Sequence, residues 1–292
     1  MGKPRGKNQS NYFGNCPHNR TFVGEILISV KVKEVLKALE LVAPLPLQES
    51  YDNAGLQVGL TEAWDVSGAL LCLDVTERVV DEAIDLGCNL IVSHHPLIFR
   101  KLAQITDAND VQRTVRKAIK NDIAIISMHT NLDNARGGVN FKMAEKLGLV
   151  QVDFFTQQRT VDEVDGASGV VGMLPEALSA EHFIALLKTT FQVECVQANE
   201  LLKRPIQKVA LCGGAGAFLL SEAIAAGADA FVTGEMGYHE FFGHEQEIQL
   251  CAIGHYQSEQ YTQELLQEII YRACPEVKTY ITKVKTNPIR YI

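Results

Sequence analysis

The chain has 292 residues, 47% of them apolar and 21% charged, with a formal net charge of −8. That balance describes an ordinary globular protein with a sizeable core, in one large domain or two smaller ones. The acidic total argues against a broad basic surface for nucleic acid, and no apolar run reaches the roughly 18 residues of a membrane-spanning helix. Seven cysteines are scattered without a C-x-x-C pair. The odd count, and the placing of Cys72, Cys212 and Cys251 inside apolar runs, indicate buried reduced thiols and a reducing, cytoplasmic setting.

Residues 1–30 differ from the rest of the chain. They are rich in Asn, Gly, Lys and Arg, lack periodicity, and read as a disordered or non-native extension. Cys16 and His18 have no partner ligands nearby in sequence. Val32 to Leu41 has helical spacing, with Val32, Val35, Leu36 and Leu39 on one face and Pro44 and Pro46 beyond its end. In Tyr51–Gly59 (Y-D-N-A-G-L-Q-V-G), Asp52, Asn53 and Gly55 are turn formers, and two of these side chains could also hold a ligand or a water beside one. Ala69–Leu73 reads as a strand and Thr76–Leu86 as a helix capped by Thr76 and closed by Gly87. A strand over Leu90–Ser93 completes a β-α-β unit of a parallel sheet. Val111–Asn121 is the next helix, Ile123–Ser127 the next buried strand, and Val139–Leu147 a further helix. From Gln151 the composition shifts. Arg159–Leu174 reads as short strands on an exposed sheet, and Ser179–Thr190 as an amphipathic helix with Ser179 at its cap and His182 on its surface.

The chain is organised around Asn89–Phe99, N-L-I-V-S-H-H-P-L-I-F. An apolar run stopped by proline is a buried strand, and ligands in α/β proteins gather just past the carboxyl ends of such strands. His94 and His95 stand there, each able to offer a neutral nitrogen to a metal. The stretch recurs. Ala69–His95 aligns without a gap on Val209–Glu235 at an offset of 140, with Leu71/Leu211, Cys72/Cys212, Glu82/Glu222, Ala83/Ala223, Ile84/Ile224, Gly87/Gly227 and Val92/Val232 identical. A second strand–helix–strand unit therefore spans Lys208–Thr233. The following strand repeats too: Ile123–Ser127 leads to His129 and Asp133, and Leu250–Ile253 leads to His255 and Glu259. Each places an imidazole past a strand and a carboxylate one helical turn later. Two related halves facing each other would bring His94, His95, His129, Asp133, His255 and Glu259 together, and that many histidines and carboxylates matches the ligands of about two metals.

Other motifs fall short. His239-Glu240 with His244 has one residue too many for H-E-x-x-H, although His239 alone could reach the cleft. Gly213-Gly214-Ala215-Gly216 lacks the remaining features of a dinucleotide or P-loop fingerprint. It reads as a tight strand–helix turn with room for an anion contact. No G-x-S-x-G is present, and no cysteine has a local histidine partner.

Y-D-N-A-G-L-Q-V-G, S-H-H-P, H-T-N-L-D-N, C-G-G-A-G, T-G-E and G-H-Y-Q-S-E occur in this order. From about Lys31 onward the chain thereby resembles the NGG1-interacting-factor-3-like proteins, also described as GTP cyclohydrolase 1 type 2 homologues or dinuclear-metal-centre hexameric proteins. The resemblance implies two related α/β lobes of mostly parallel strands, residues 31–150 and 151–292, with a metal site in the cleft that the C-terminal segment completes. It implies a toroidal homohexamer built from three dimers, and two divalent metal ions (Zn, Fe, Mn or Ni) held by His94, His95, Asp133, His255 and Glu259. His129 matches a histidine beside that site and is the candidate catalytic proton shuttle. The spacer Gln151–Gln207 is too short for the inserted domain some relatives carry. The expected activity is metal-dependent hydrolysis of a small nucleotide-type molecule, two metals about 3.5–4 Å apart polarising substrate and water. The alternative is a non-catalytic metal store, chaperone or ring-shaped binder.

Overall fold

The computed structural model describes residues 29–62, 64–290 and 292. The Cys16–His18 pair and nearly all of the N-terminal extension lie outside the described residues. Val30, assigned to that extension, already packs in the core, and its carbonyl accepts a hydrogen bond from Val66 N at 2.7 Å.

The elements run in order α1 (Val32–Val42), β1 (Gly55–Val58), β2 (Ala69–Cys72), α2 (Glu77–Asp85), β3 (Leu90–Ser93), α3 (Asp110–Lys120), β4 (Ala124–Ser127), α4 (Thr130–Asn134), α5 (Val139–Leu147), β5 (Val150–Phe154), β6 (Arg159–Val161), β7 (Val164–Gly166), β8 (Val170–Leu178), α6 (Ala180–Phe191), β9 (Gln197–Ala198), β10 (Ile206–Cys212), α7 (Leu220–Ala225), β11 (Ala230–Thr233), β12 (Gln249–Ala252), α8 (His255–Glu259), α9 (Thr262–Ala273) and β13 (Thr279–Ile281). Helix starts follow local chemistry. Thr76 Oγ1 accepts from Val79 N at 3.3 Å, and Asn109 Oδ1 accepts from Gln112 N at 2.9 Å. Ser179 Oγ accepts from His182 N at 3.4 Å. Each cap satisfies an otherwise unpaired helix N–H.

The first sheet has the order β1-β4-β3-β2-β13, with β1 antiparallel and the rest parallel. Strands β2, β3 and β4 are buried along their whole length. That is why they read as unbroken apolar runs: both faces are covered by helices. Leu70, Ile91 and Ile125 point to the side of Val79, Val80, Val115 and Ala118 on α2 and α3. Leu71, Val92 and Ile126 point to the side of Val35, Leu39, Leu266 and Ile270 on α1 and α9. Each such fully buried aliphatic side chain contributes on the order of 1.5–3 kcal/mol.

The second sheet has the order β5-β8-β10-β11-β12-β9. Its middle strands β10, β11 and β12 are parallel, so the repeated unit recurs as a structure. Parallel pairing is local here, because β5, β8 and β9 all join antiparallel. The exposed sheet expected over Arg159–Leu174 is only the β6–β7 hairpin. Strand β8 lies between β5 and β10 with Val170, Gly172 and Leu174 buried.

The end of the chain does not stay with the second sheet, as a boundary at 150/151 would have it. Helix α9 lays Leu265, Leu266, Ile269 and Ile270 against the first core. Strand β13 pairs with β2, covering an edge that would otherwise leave a buried strand unpaired. No helix among the described residues is long and apolar enough to cross a membrane. Among them the cysteines are unpaired thiols, buried except for Cys195.

Candidate metal centre

The carboxyl ends of β3 and β4 face those of β11 and β12, and the two repeats meet there. His94 is fully buried just past β3. Its Nδ1 lies 2.8 Å from the Met128 carbonyl. A carbonyl only accepts, so Nδ1 carries the proton and Nε2 presents its lone pair. That Nε2 has no hydrogen-bond partner, and neither has the buried Asp133 Oδ1, 3.6 Å away. Glu259 Oε1 lies 3.7 Å from the same nitrogen.

The neighbouring imidazoles are held in the same manner. His95 Nδ1 meets Asp74 Oδ1 at 2.7 Å, and its Nε2 faces Glu259 Oε2 at 3.0 Å and His255 Nε2 at 3.3 Å. His255 Nδ1 meets Glu235 Oε1 at 3.1 Å, with Nε2 3.1 Å from Glu259 Oε2. His129 Nδ1 meets Asp52 Oδ1 at 2.7 Å. Four imidazoles thus have Nδ1 tied to an oxygen outside the cluster and Nε2 left for the centre. That outer support fixes the tautomer and orientation of metal-binding histidines.

Local folding explains the convergence. His129 caps α4, whose Asp133 follows one turn later, and His255 opens α8, whose last residue is Glu259. The glycine turn after β10 passes close behind Glu259: Gly214 has φ +58, and a Cβ there would collide with Glu259 Oε1. Gly213 N and Gly214 N donate to Asn140 Oδ1 and Ser258 Oγ at 2.8 and 3.0 Å, and Gly216 N to Thr233 Oγ1 at 3.0 Å. These three amides are already committed within the protein, and the turn seats Glu259.

The electrostatics suit a cation. Burial, then the facing Glu259, pushes the Asp133 carboxyl far up. Burial also opposes a charge on Glu259, but His94, His255 and His95 outweigh it and hold that carboxyl well down. Burial lowers His94. It opposes the charge on His95 as well, yet Asp74 and Glu259 raise that imidazole to about 10. Three overlapping groups have ligand atoms within 4.8 Å of one another: His94, Asp133 and Glu259; His95, His255 and Glu259; and His94, His95 and His129. The donors are imidazole and carboxylate, suited to Zn, Fe, Mn or Ni. Two adjacent orphaned buried atoms, of a kind that folded proteins rarely leave unsatisfied, fit a cation between them.

All six residues picked out in the sequence therefore stand in one cluster. His182 and His239 are exposed, His244 pairs with Glu247 at 2.9 Å, and none of the three belongs to these ligand groups. Sequence reasoning left Asp74 and Glu235 without a role, although Glu235 occupies the place of His95 in the 140-residue repeat. The cluster forms the floor of a cavity of about 220 Å³, walled by Tyr51, Phe218, Asn140 and Cys212. Burial, then Asp133 and Glu259, push the Cys212 thiol far up, so it is no thiolate nucleophile.

A family model described as Duf34/NIF3 (NGG1p interacting factor 3) matches residues 30–288. The chain belongs to the DUF34/NIF3 family. A DUF34/NIF3 relative from Clostridium perfringens, named GTP cyclohydrolase 1 type 2 homolog, is 33% identical over 265 residues, covering 90% of this chain and 100% of its own. NIF3-like protein 1 of Drosophila melanogaster is 29% identical over 281 residues, covering 92% and 90%. Among solved DUF34/NIF3-like structures, the Bacillus cereus protein related to NIF3 superposes with a TM-score of 0.79 at 25% identity, covering 90% of this chain and 100% of that one.

Proposed function

We propose that this DUF34/NIF3 protein is a dinuclear metal-dependent hydrolase acting on a nucleotide-type substrate, in the manner the GTP cyclohydrolase 1 type 2 homologues are named for. The observation that carries the reading is the pair of orphaned buried atoms, His94 Nε2 and Asp133 Oδ1, beside a cavity that Asp133, His129, His255 and Glu259 line. His94 and Asp133 would hold one divalent cation and His95 and His255 the other, with Glu259 shared, since it reaches both sets. The cations would supply Lewis acidity towards the scissile group.

The chain's own residues supply the rest. Asp52 keeps the Nδ1 proton on His129, which leaves the other ring nitrogen to accept a proton from an attacking water and return it to the leaving atom. His129 and His255 remain partly accessible while His94 and Glu259 are sealed, so the centre has an open side past these two imidazoles. An open side is what separates catalytic from closed structural metal sites. The ring-shaped homohexamer belongs to the same reading.

The test is elemental analysis of protein purified without added metal, paired with turnover of GTP and of a panel of phosphoesters and cyclic amides. Two equivalents of metal with turnover supports the reading. Two equivalents with no turnover on any substrate replaces it with metal storage or partner binding.

A further inference from the structure

The cavity over the metal cluster is too small for a whole ligand: about 220 Å³, where ligand pockets run to roughly 300–1,000 Å³. It does not end there. Past Phe218 it adjoins a second cavity of about 570 Å³, with Glu49, Asn134 and Ser168 common to both. The outer cavity is polar, lined by Thr156, Gln157, Arg159 and Glu222. Arg159 Nη2 donates to the Leu47 carbonyl at 2.7 Å, which fixes its guanidinium on that wall.

Two aromatic side chains that the core does not use border the inner cavity, Phe218 at its junction with the outer one and Tyr51 on the inner wall. Tyr51 is 64% exposed and Phe218 62% exposed. Phe99 extends the aromatic edge, its ring centroid 6.4 Å from Tyr51 and 6.0 Å from His129. Large rings left open at the mouth of a polar cleft offer π-faces where a ligand must pass.

We propose that Tyr51 and Phe218 form a stacking subsite for a planar aromatic ring, with the ligand's reacting group over the metal cluster and its polar substituents in the outer cavity. Much of the outer wall comes from the segment between β5 and β8, so an excursion from the second sheet reads the substrate while the repeated halves hold the metals. This rests on the cleft being a substrate site, not on the reaction performed there.

Equilibrium binding to metal-loaded protein tests it, with guanosine 5′-monophosphate and adenosine 5′-monophosphate as ring-bearing probes and ribose 5-phosphate as the ring-free one. The nucleotides should bind at least about tenfold more tightly than ribose 5-phosphate, as aromatic stacking of one base provides. Tyr51→Ala and Phe218→Ala should each erode that preference with metal content unchanged, and Tyr51→Phe should keep it. Equal affinity for all three probes overturns the subsite. So does a preference that survives both alanine variants, or an alanine variant that loses metal or changes the oligomeric mass. A nucleotide preference in protein that hydrolyses nothing keeps the subsite and removes the hydrolase reading; turnover without any preference does the reverse.

Discussion

At the scale of single residues, the centre consists of histidines whose outer nitrogens are spoken for. Glu259 is the residue common to most of their inner contacts, so Glu259→Gln should cost both metals, whereas His255→Ala should cost one. Elemental analysis separates these outcomes, and full metal content in both variants would refute the ligand assignment. His129→Ala should keep both metals while slowing hydrolysis by about 10²–10⁴-fold, the range for a lost general acid or base. Metal lost together with activity would make His129 a ligand. Its partner Asp52 carries a pH signature. Burial works against the Asp52 charge, but His129, Thr130 and Asn53 outweigh it and bring the carboxyl to about 2. A folded value below the unfolded one stabilises above roughly pH 4, and the stabilisation is lost as pH falls through about 2. The effect is at most roughly 2 kcal/mol. Denaturation of metal-free Asp52→Asn and wild-type protein should show a stability gap at pH 5 that closes towards pH 2, and a gap of constant size would contradict the linkage.

At the scale of elements, the turn after β10 and the segment after β13 hold the cluster from outside. Gly214→Ala adds a Cβ at a positive φ directly against Glu259. It should destabilise by on the order of 1–3 kcal/mol and weaken metal binding together, read by thermal unfolding and metal titration. Thr286 Oγ1 donates to Asp74 Oδ2 at 2.6 Å, and Asp74 in turn holds His95. Thr286→Val should lower metal affinity about 10–100-fold, the usual cost of losing an outer partner, and Thr286→Ser should restore it. Much of this was legible. Strands β2, β3 and β4 announced themselves as unbroken apolar runs, α2 and α6 by Thr76 and Ser179, and the cluster by an imidazole–carboxylate spacing that recurs in both halves. Asp74 was not legible because one acidic residue after a strand looks like any loop residue until the fold brings His95 to it. The burial of β8 was masked by its Asp, Glu and Gly neighbours, although Val170, Gly172 and Leu174 alternate inward.

At the scale of the molecule, two copies of one strand–helix–strand plan each lead into part of the histidine–carboxylate cluster, and α9 and β13 then carry the chain back to the first sheet. The chain truncated before Thr279 keeps every residue of the cluster but exposes the β2 edge and releases Asp74. It should unfold at lower urea and bind less than two metals; a truncated chain with wild-type midpoint and metal content would show that the return is dispensable. The same return imposes an order in time. While the chain is being synthesised, the first sheet waits with one flank open until residues 262–281 emerge from the ribosome, 135 to 154 residues after the end of β4. His94 and His95 are among the early products and His255 and Glu259 among the late ones. A nascent chain that stops before His255 should therefore hold fewer than two metals.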